Sequence, residues 1–321
     1  MNILNEIAKK YRKALVTGGA GFIGSHICEK LVESGIQVLS IDDYSAGKKE
    51  NHAHLDEANN FKAVKCDVTD QRDLPRYFDG IDIVFHNAAA KKNICLDDPR
   101  RDLEVNAGGA FNLLELSDIF GVKKFIQAST GSVYGDPKHG LLDEEDPLKP
   151  MSYYGTSKIA AENYVRLFNV HYGLNTTILR YFHVYGSRQE SGKYGGVVAI
   201  FIRNMVNNEQ PRIFGDGTQT RSFTHVKDIV AANLLVAVDE RANGEAYNCA
   251  SGISVTIQEL CDKVIEYFGR SGTILPIYED WVIGDVKVSD IENEKIKTLG
   301  LKFDTNFFDR LLDLCNKEIR K

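Results

Sequence analysis

Residues 15–24, Leu-Val-Thr-Gly-Gly-Ala-Gly-Phe-Ile-Gly, constrain the fold of this 321-residue chain more than any other stretch. An apolar β-rich run, Ala14–Thr17, leads into the glycines, and an apolar-periodic stretch, Ile23–Glu33, leaves them. The spacing satisfies G-x-G-x-x-G from Gly19 to Gly24 and G-x-x-G-x-x-G from Gly18 to Gly24. Glycine is needed here for a tight turn, for close approach of the backbone to a pyrophosphate, and for close packing of helix on strand. The helix start adds free N–H groups and the positive end of a dipole, both favourable to phosphate. The segment therefore predicts a dinucleotide pocket with Gly18, Gly21, Phe22, Ile23 and Gly24 around the pyrophosphate.

A second strand, Gln37–Ile41, ends at Asp42-Asp43, about 20 residues beyond the glycines. A carboxylate at that place accepts a ribose 2′-OH and repels a 2′-phosphate, so Asp42 and Asp43 predict NAD rather than NADP. Lys48 and Lys49 come too late in the following loop to reverse this. Asp67-Val68, at the end of a third strand, is placed to read an adenine edge.

The rhythm continues. Strands are expected at Phe61–Lys65, Ile83–His86, Lys124–Ala128 and Asn175–Leu179, with helices at Gln71–Phe78, Leu103–Phe120 and Tyr154–His171. Repeated strand–helix alternation demands crossover connections, hence an α/β fold of Rossmann type with a doubly wound parallel sheet. After Tyr181 come a polar loop (Ser187–Gly196), a helix (Gly196–Asn207), an extended piece (Arg212–Phe214), a helix (Val226–Val238) and a strand (Glu245–Cys249). The expected division is a nucleotide domain of residues 1–180 plus about 226–250, interleaved with a smaller substrate domain of 181–225 plus 251–321.

A net charge of −6 and a pI near 5.8 argue against nucleic acid or an anionic membrane as main partner. No apolar run approaches the ~20 residues that span a bilayer. The residues Met1 to Lys13 lack the pattern of a signal peptide. The six cysteines form no CxxC pair and no zinc spacing, which fits free thiols in a reducing cytoplasm and no metal site.

Tyr154-Gly155-Thr156-Ser157-Lys158 sets Tyr154 and Lys158 four apart at a helix start, on one face. A tyrosine working as a base near pH 7 needs its pKa lowered by up to ~3 units, and an adjacent ammonium does this. Alone, such a pair also describes two surface residues of a helix. The glycine turn upstream gives it a catalytic meaning.

TGGAGFIGSH, Asp67-Val68, Phe85-His86-Asn87-Ala88-Ala89, Asn106 in EVNAGG, ASTGSVYG and YYGTSK follow in order, and LRYFHVYGSRQ, IFGDGTQTRSF and YNCASG extend the pattern to about residue 252. The set resembles the extended short-chain dehydrogenase/reductases, in their nucleotide-sugar epimerase and dehydratase branch, and there the UDP-glucose 4-epimerase type. The resemblance implies bound NAD, a nucleotide-diphosphate sugar (UDP-sugar favoured) and a homodimer. It makes Tyr154 the acid/base, Lys158 its tuner and holder of the nicotinamide ribose, and Thr130 the partner of the reacting hydroxyl. Asn87, Ala88, Ala89, Lys91 and Asn106 become cofactor neighbours. Lys91, His183, Val197 and Arg221 become substrate neighbours, Arg221 on the diphosphate.

Within the branch, members that eliminate water resemble one another in an Asp-Glu pair after the catalytic Thr, and decarboxylases in a Glu at the second of these positions. This chain has Gly131-Ser132, which offers no carboxylic acid. The expectation is C4 epimerisation of a UDP-hexose or UDP-N-acetylhexosamine through a 4-keto intermediate, with NAD retained. The alternative is a C5 epimerase, or less so a 4,6-dehydratase, acting on a UDP-GlcNAc-derived 4-keto-6-deoxy sugar. It is motivated by Lys91, Lys92 and Cys95, and by departures at His183, Ser222, Lys227 and Val282. A non-catalytic NAD-binding regulator is the reading from another class, and Tyr154 with Lys158 speaks against it. Leu103, Phe111, Leu114, Val165 and Phe168 on two helices are the expected dimer face, in competition with packing on the sheet.

Overall fold

The computed structural model describes residues 2–90, 92–136, 141–192, 195–281 and 290–320. Seven strands form one parallel sheet: β1 (Lys13–Thr17), β2 (Gln37–Asp42), β3 (Phe61–Lys65), β4 (Ile83–His86), β5 (Lys124–Thr130), β6 (Thr176–Tyr181) and β7 (Glu245–Cys249). Their spatial order is 3-2-1-4-5-6-7. β1 pairs with β2 on one side, Thr17 opposite Ile41, and with β4 on the other, Thr17 opposite His86. The chain direction across the sheet reverses at this point, which opens a crevice at the carboxyl ends of the strands.

The principal helices are α1 (Ile3–Lys10), α2 (Phe22–Glu33), α3 (Ala110–Ile119), α4 (Tyr153–Tyr172), α5 (Val197–Val206), α6 (Val226–Val238), α7 (Ile257–Tyr267) and α8 (Phe307–Ile319). Successive strand residues point to opposite faces, and the sheet is buried on both. Ala14, Val16, Ile83, Phe85 and Ile126 pack against α1, α2 and α6. Leu15, Val84, Phe125 and Ile178 pack against α3 and α4. A separate core, with Phe201, Phe223, Leu260, Val264, Phe307 and Leu311, joins α5, α7 and α8. Among the described residues no helix is long and apolar enough to cross a membrane.

Several expectations are corrected. Gln71–Phe78 holds only a 3-10 turn, Leu74–Tyr77. Pro75 lacks an N–H, and Asp70 Oδ1 accepts the N–H groups of Arg72 and Asp73, which competes with a helical start. The expected helix Leu103–Phe120 begins earlier and is not uniform. A turn of α-helix, Pro99–Asp102, runs into a π-helical stretch, Leu103–Gly109, and then into α3. A 3.6-residue apolar period does not reveal such an extra residue. α1 was not expected at all. Of the proposed dimer-face residues, Leu114, Val165 and Phe168 belong to the core under the sheet, whereas Leu103 and Phe111 are exposed.

Candidate active site

The crevice between β1 and β4 holds a cavity of about 460 Å³, lined by the glycine turn, the ends of β2, β3 and β4, the start of α4 and residues 188–191. Gly18 has a φ of +66°, and a Cβ there would press on the Ala88 backbone at 2.8 Å. At Gly24 a Cβ would stand 2.2 Å from Gly18 O, so helix and turn touch as only glycine allows. Gly21 precedes α2 without a side-chain cap, which directs the first amides of the helix towards the cavity.

The acidic residues lie where expected. Asp42 is buried and lines the cavity, its Oδ2 accepting Ala20 N–H at 3.0 Å and its Oδ1 accepting Tyr44 N–H at 2.8 Å. Burial raises its pKa, against the pull of these two amides. Asp43, Asp67 and Val68 line the same wall, together with Asn87, Ala88 and Ala89. Asn87 Nδ2 is buried without a hydrogen-bond partner among the described residues, a donor directed at what fills the cavity. The glycine cradle, the helix N-terminus and this donor together fit a dinucleotide.

Tyr154 and Lys158 sit in the first turns of α4, whose N-cap Ser152 accepts Gly155 N–H at 3.1 Å. Both line the cavity. Burial holds the Tyr154 phenol well above its usual pKa, while a hydrogen bond with Thr130 works the other way. Burial lowers the Lys158 ammonium to about 8, opposed by Glu162, Asp102 and Cys95. Thr130 ends β5 and accepts Ser132 N–H at 3.2 Å. Thr130 and Tyr154 thus come together, as the sequence predicted.

Asn106 is placed otherwise than expected. It is fully buried in the π-helical stretch, with Oδ1 accepting Ala90 N–H at 3.0 Å. Its Nδ2 donates to Asp102 Oδ1 at 2.6 Å and also bonds Ala90 O and Ser157 Oγ. Asn106 therefore braces the loop after β4 and α4, and it is not among the residues that line the cavity. Asp102, missed in the sequence, is the hub: its Oδ1 also accepts Ser157 Oγ at 3.0 Å and the Cys95 thiol at 2.8 Å. Its signal was position, four residues before Asn106 on the same helical face.

Arg101, Tyr181, Arg188 and Gln189 also line the cavity and were not foreseen. Arg188 fastens its loop to α2 through Glu29 Oε2 at 2.5 Å. Arg221 is buried in the short strand Thr220–Ser222, and Val197 starts α5. His183 is exposed beside Phe223 with a φ of +36°, an uncommon conformation outside glycine that Asn, Asp and His adopt more often than other side chains. Ser222 is buried. Lys91 and Val282 lie outside the described residues.

The model of the NAD dependent epimerase/dehydratase family matches residues 14–250. The chain is similar to a UDP-glucose 4-epimerase from Thermotoga maritima, solved with UDP-glucose, at 37% identity and a TM-score of 0.89, over 96% of this chain and 98% of that one. It is similar to a UDP-N-acetylglucosamine 4-epimerase from Methanobrevibacter ruminantium M1, in complex with UDP-N-acetylmuramic acid, at 34% identity and a TM-score of 0.90, over 97% and 99%. It is also 35% identical, over 83% of either chain, to a UDP-N-acetyl-alpha-D-glucosaminuronate decarboxylase from Bacillus cytotoxicus. Identity alone does not separate these reactions.

Proposed function

Because the chain belongs to the NAD dependent epimerase/dehydratase family, we propose that it inverts C4 of a UDP-hexose or UDP-N-acetylhexosamine through a 4-keto sugar. It is an NAD-dependent nucleotide-sugar epimerase. The observation that carries the C4 reading is at Gly131. A Cβ there would meet the Phe182 ring at 2.2 Å, so a side chain at position 131 fits only if that ring moves. Ser132 brings only a hydroxyl, and elimination or decarboxylation of the kind carried out with a carboxyl group at these positions lacks its acid.

NAD, when bound, accepts the C4 hydride and returns it. Tyr154, assisted by Thr130, takes the proton of the C4 hydroxyl and gives it back after the sugar has turned. Lys158 supplies positive charge beside the phenol and holds the nicotinamide ribose. Asp42 accepts the adenosine ribose hydroxyl, Asp67 and Val68 bound the adenine, and the amides after Gly21 face the pyrophosphate. Arg221, His183 and Val197 belong to the diphosphate and sugar side. Residues 1–180 with about 226–250 hold the cofactor, and 181–225 with 251–321 hold the sugar nucleotide.

The C5-epimerase reading loses one of its bases. Cys95 is 1% exposed, donates to Asp102, and its thiol pKa is pushed up by burial. The exposed side chains Leu103, Phe111, Tyr164, Leu167 and Val170 support a homodimer across α3 and α4. Six free buried cysteines support a cytoplasmic location. The test is incubation with UDP-glucose and UDP-GlcNAc and catalytic NAD, followed by proton NMR. Formation of the C4 epimer without solvent deuterium at C5 is expected; absence of any C4 epimer ends the reading.

A further inference from the structure

Arg101 bridges two acids that stand at the ends of different strands. Its Nη2 donates to Asp67 Oδ2 at 2.6 Å and to Asp43 Oδ2 at 3.2 Å, and its Nη1 reaches Thr69 Oγ1 at 3.4 Å. Each acid is independently fixed on its other oxygen. Asp43 Oδ1 accepts Ser45 N–H at 2.9 Å and the Ser45 hydroxyl, and Asp67 Oδ1 accepts Thr69 N–H at 2.9 Å and the Thr69 hydroxyl. All three charged side chains line the cavity, and each is roughly a third exposed, at 31%, 29% and 32%, which puts the bridge at the rim of the pocket and not on its floor.

We propose that Arg101 is a strap across the adenosine end of the cofactor pocket, tying Asp43 to Asp67 and thereby setting how slowly NAD leaves. The inference rests on the NAD-epimerase reading above. A cofactor that lends a hydride and receives it back must outlast the turnover, and the glycine turn holds only the pyrophosphate. Without the guanidinium, the charge-assisted bonds that join the two acids across the rim of the pocket are lost. An exposed ion pair by itself is worth little. This one matters because both acids are pre-set by their own loops, so the strap closes without ordering them, and its effect falls on the dissociation rate.

The test uses the full-length protein loaded with NAD, chased with excess deuterated NAD, with bound cofactor followed by mass spectrometry. Arg101→Ala and Arg101→Gln should release NAD about tenfold faster or more. Asp43→Asn should also speed release, and adding it to Arg101→Ala should change the rate by less than about twofold, since the two residues act through one bridge. That coupling is a readout that general loosening of the fold does not produce, and melting of the NAD-free variants checks the fold directly. If Arg101→Ala proves unstable, Asp67→Asn and Asp43→Asn must show the same non-additivity with each other. Exchange within twofold of wild type for Arg101→Ala, or additive effects, overturns the strap while leaving NAD binding intact. Failure of the wild-type protein to take up NAD overturns the functional reading, and the strap with it.

Discussion

Asp102 accepts the side-chain amide of Asn106 at 2.6 Å, inside a helical run that changes from α to π between them. The same oxygen holds Ser157, the residue just before Lys158, so one buried carboxylate, through Asn106, ties the loop after β4 at Ala90 to the catalytic helix. Asp102→Ala leaves the Asn106 and Ser157 donors without this acceptor and should cost about 1–3 kcal/mol of stability. Urea unfolding measures this. The decisive companion is Cys95→Ser, which keeps a donor to Asp102 and should retain most of the stability and activity. Equal damage from both variants would remove Asp102 from its place as hub.

Tyr154→Phe removes the one hydroxyl that can trade the C4 proton while leaving the ring in place. kcat should fall by about 10²–10⁴-fold, and NAD should still bind. Turnover by NMR and NAD titration by calorimetry separate the two effects. A regulator without catalysis would show no change in either.

The Lys158 ammonium, lowered to about 8 by burial, is charged below that pH and neutral above it. Its support for the Tyr154 phenolate therefore exists on the acid side and is lost as pH rises through about 8. The pH profile of kcat/KM should fall as pH rises through about 8. In Lys158→Met this fall should disappear. A fall that persists in the variant would deny the lysine its electrostatic part.

Gly24→Ala drives a Cβ to within 2.2 Å of Gly18 O, and backbone has to move. The strain of such overpacking is about 1–3 kcal/mol. It falls on the turn that faces the pyrophosphate, so the NAD Kd should rise about tenfold or more. Calorimetry on the purified variant reads this directly; an unchanged Kd would detach the turn from cofactor binding.

Asp228 lies at the start of α6, where its Oδ2 accepts Asp304 N–H at 3.0 Å. Burial raises its pKa to about 6, with the Asp304 carboxylate adding to the rise and Arg310 opposing it. A folded-state pKa above the unfolded value near 4 means that the native state binds the proton more tightly. This contribution is therefore fully present below the unfolded pKa and is lost as pH rises through about 6. Asp228→Asn, which can still accept the amide, should be more stable than wild type at pH 7 by about 1–2 kcal/mol. The difference should vanish near pH 4. Thermal melts at the two pH values measure it, and an equal gap at both would refute the assignment.

The sheet and the glycine turn were legible because strand periodicity and glycine spacing are local properties. Tyr154 and Lys158 were legible because a helix puts residues four apart on one face. Arg101 was not, since its partners lie on other strand ends and a charge in a polar stretch reads as solvated. Asn106 was assigned by pattern to the cofactor, whereas its amide is held by Ala90, Asp102 and Ser157, contacts that depend on a π-helical turn no periodicity exposes. The apolar residues of α3 and α4 could serve a sheet or a partner, and only the packed structure divides Leu114, Val165 and Phe168 from Leu103 and Phe111. Gln71–Phe78 failed because Pro75 and the Asp70 turn outweigh its helical look.

Phe182, whose ring fills the space beside Gly131, stacks on Tyr134, and the Tyr134 hydroxyl is shared between Arg180 and Asn248. Arg180 in turn is paired with buried Glu162. An acidic residue at 131 would therefore have to displace one end of a connected interior, not merely occupy a free corner. The reaction type is in that sense tied to the packing of an aromatic pair as much as to the residue at 131.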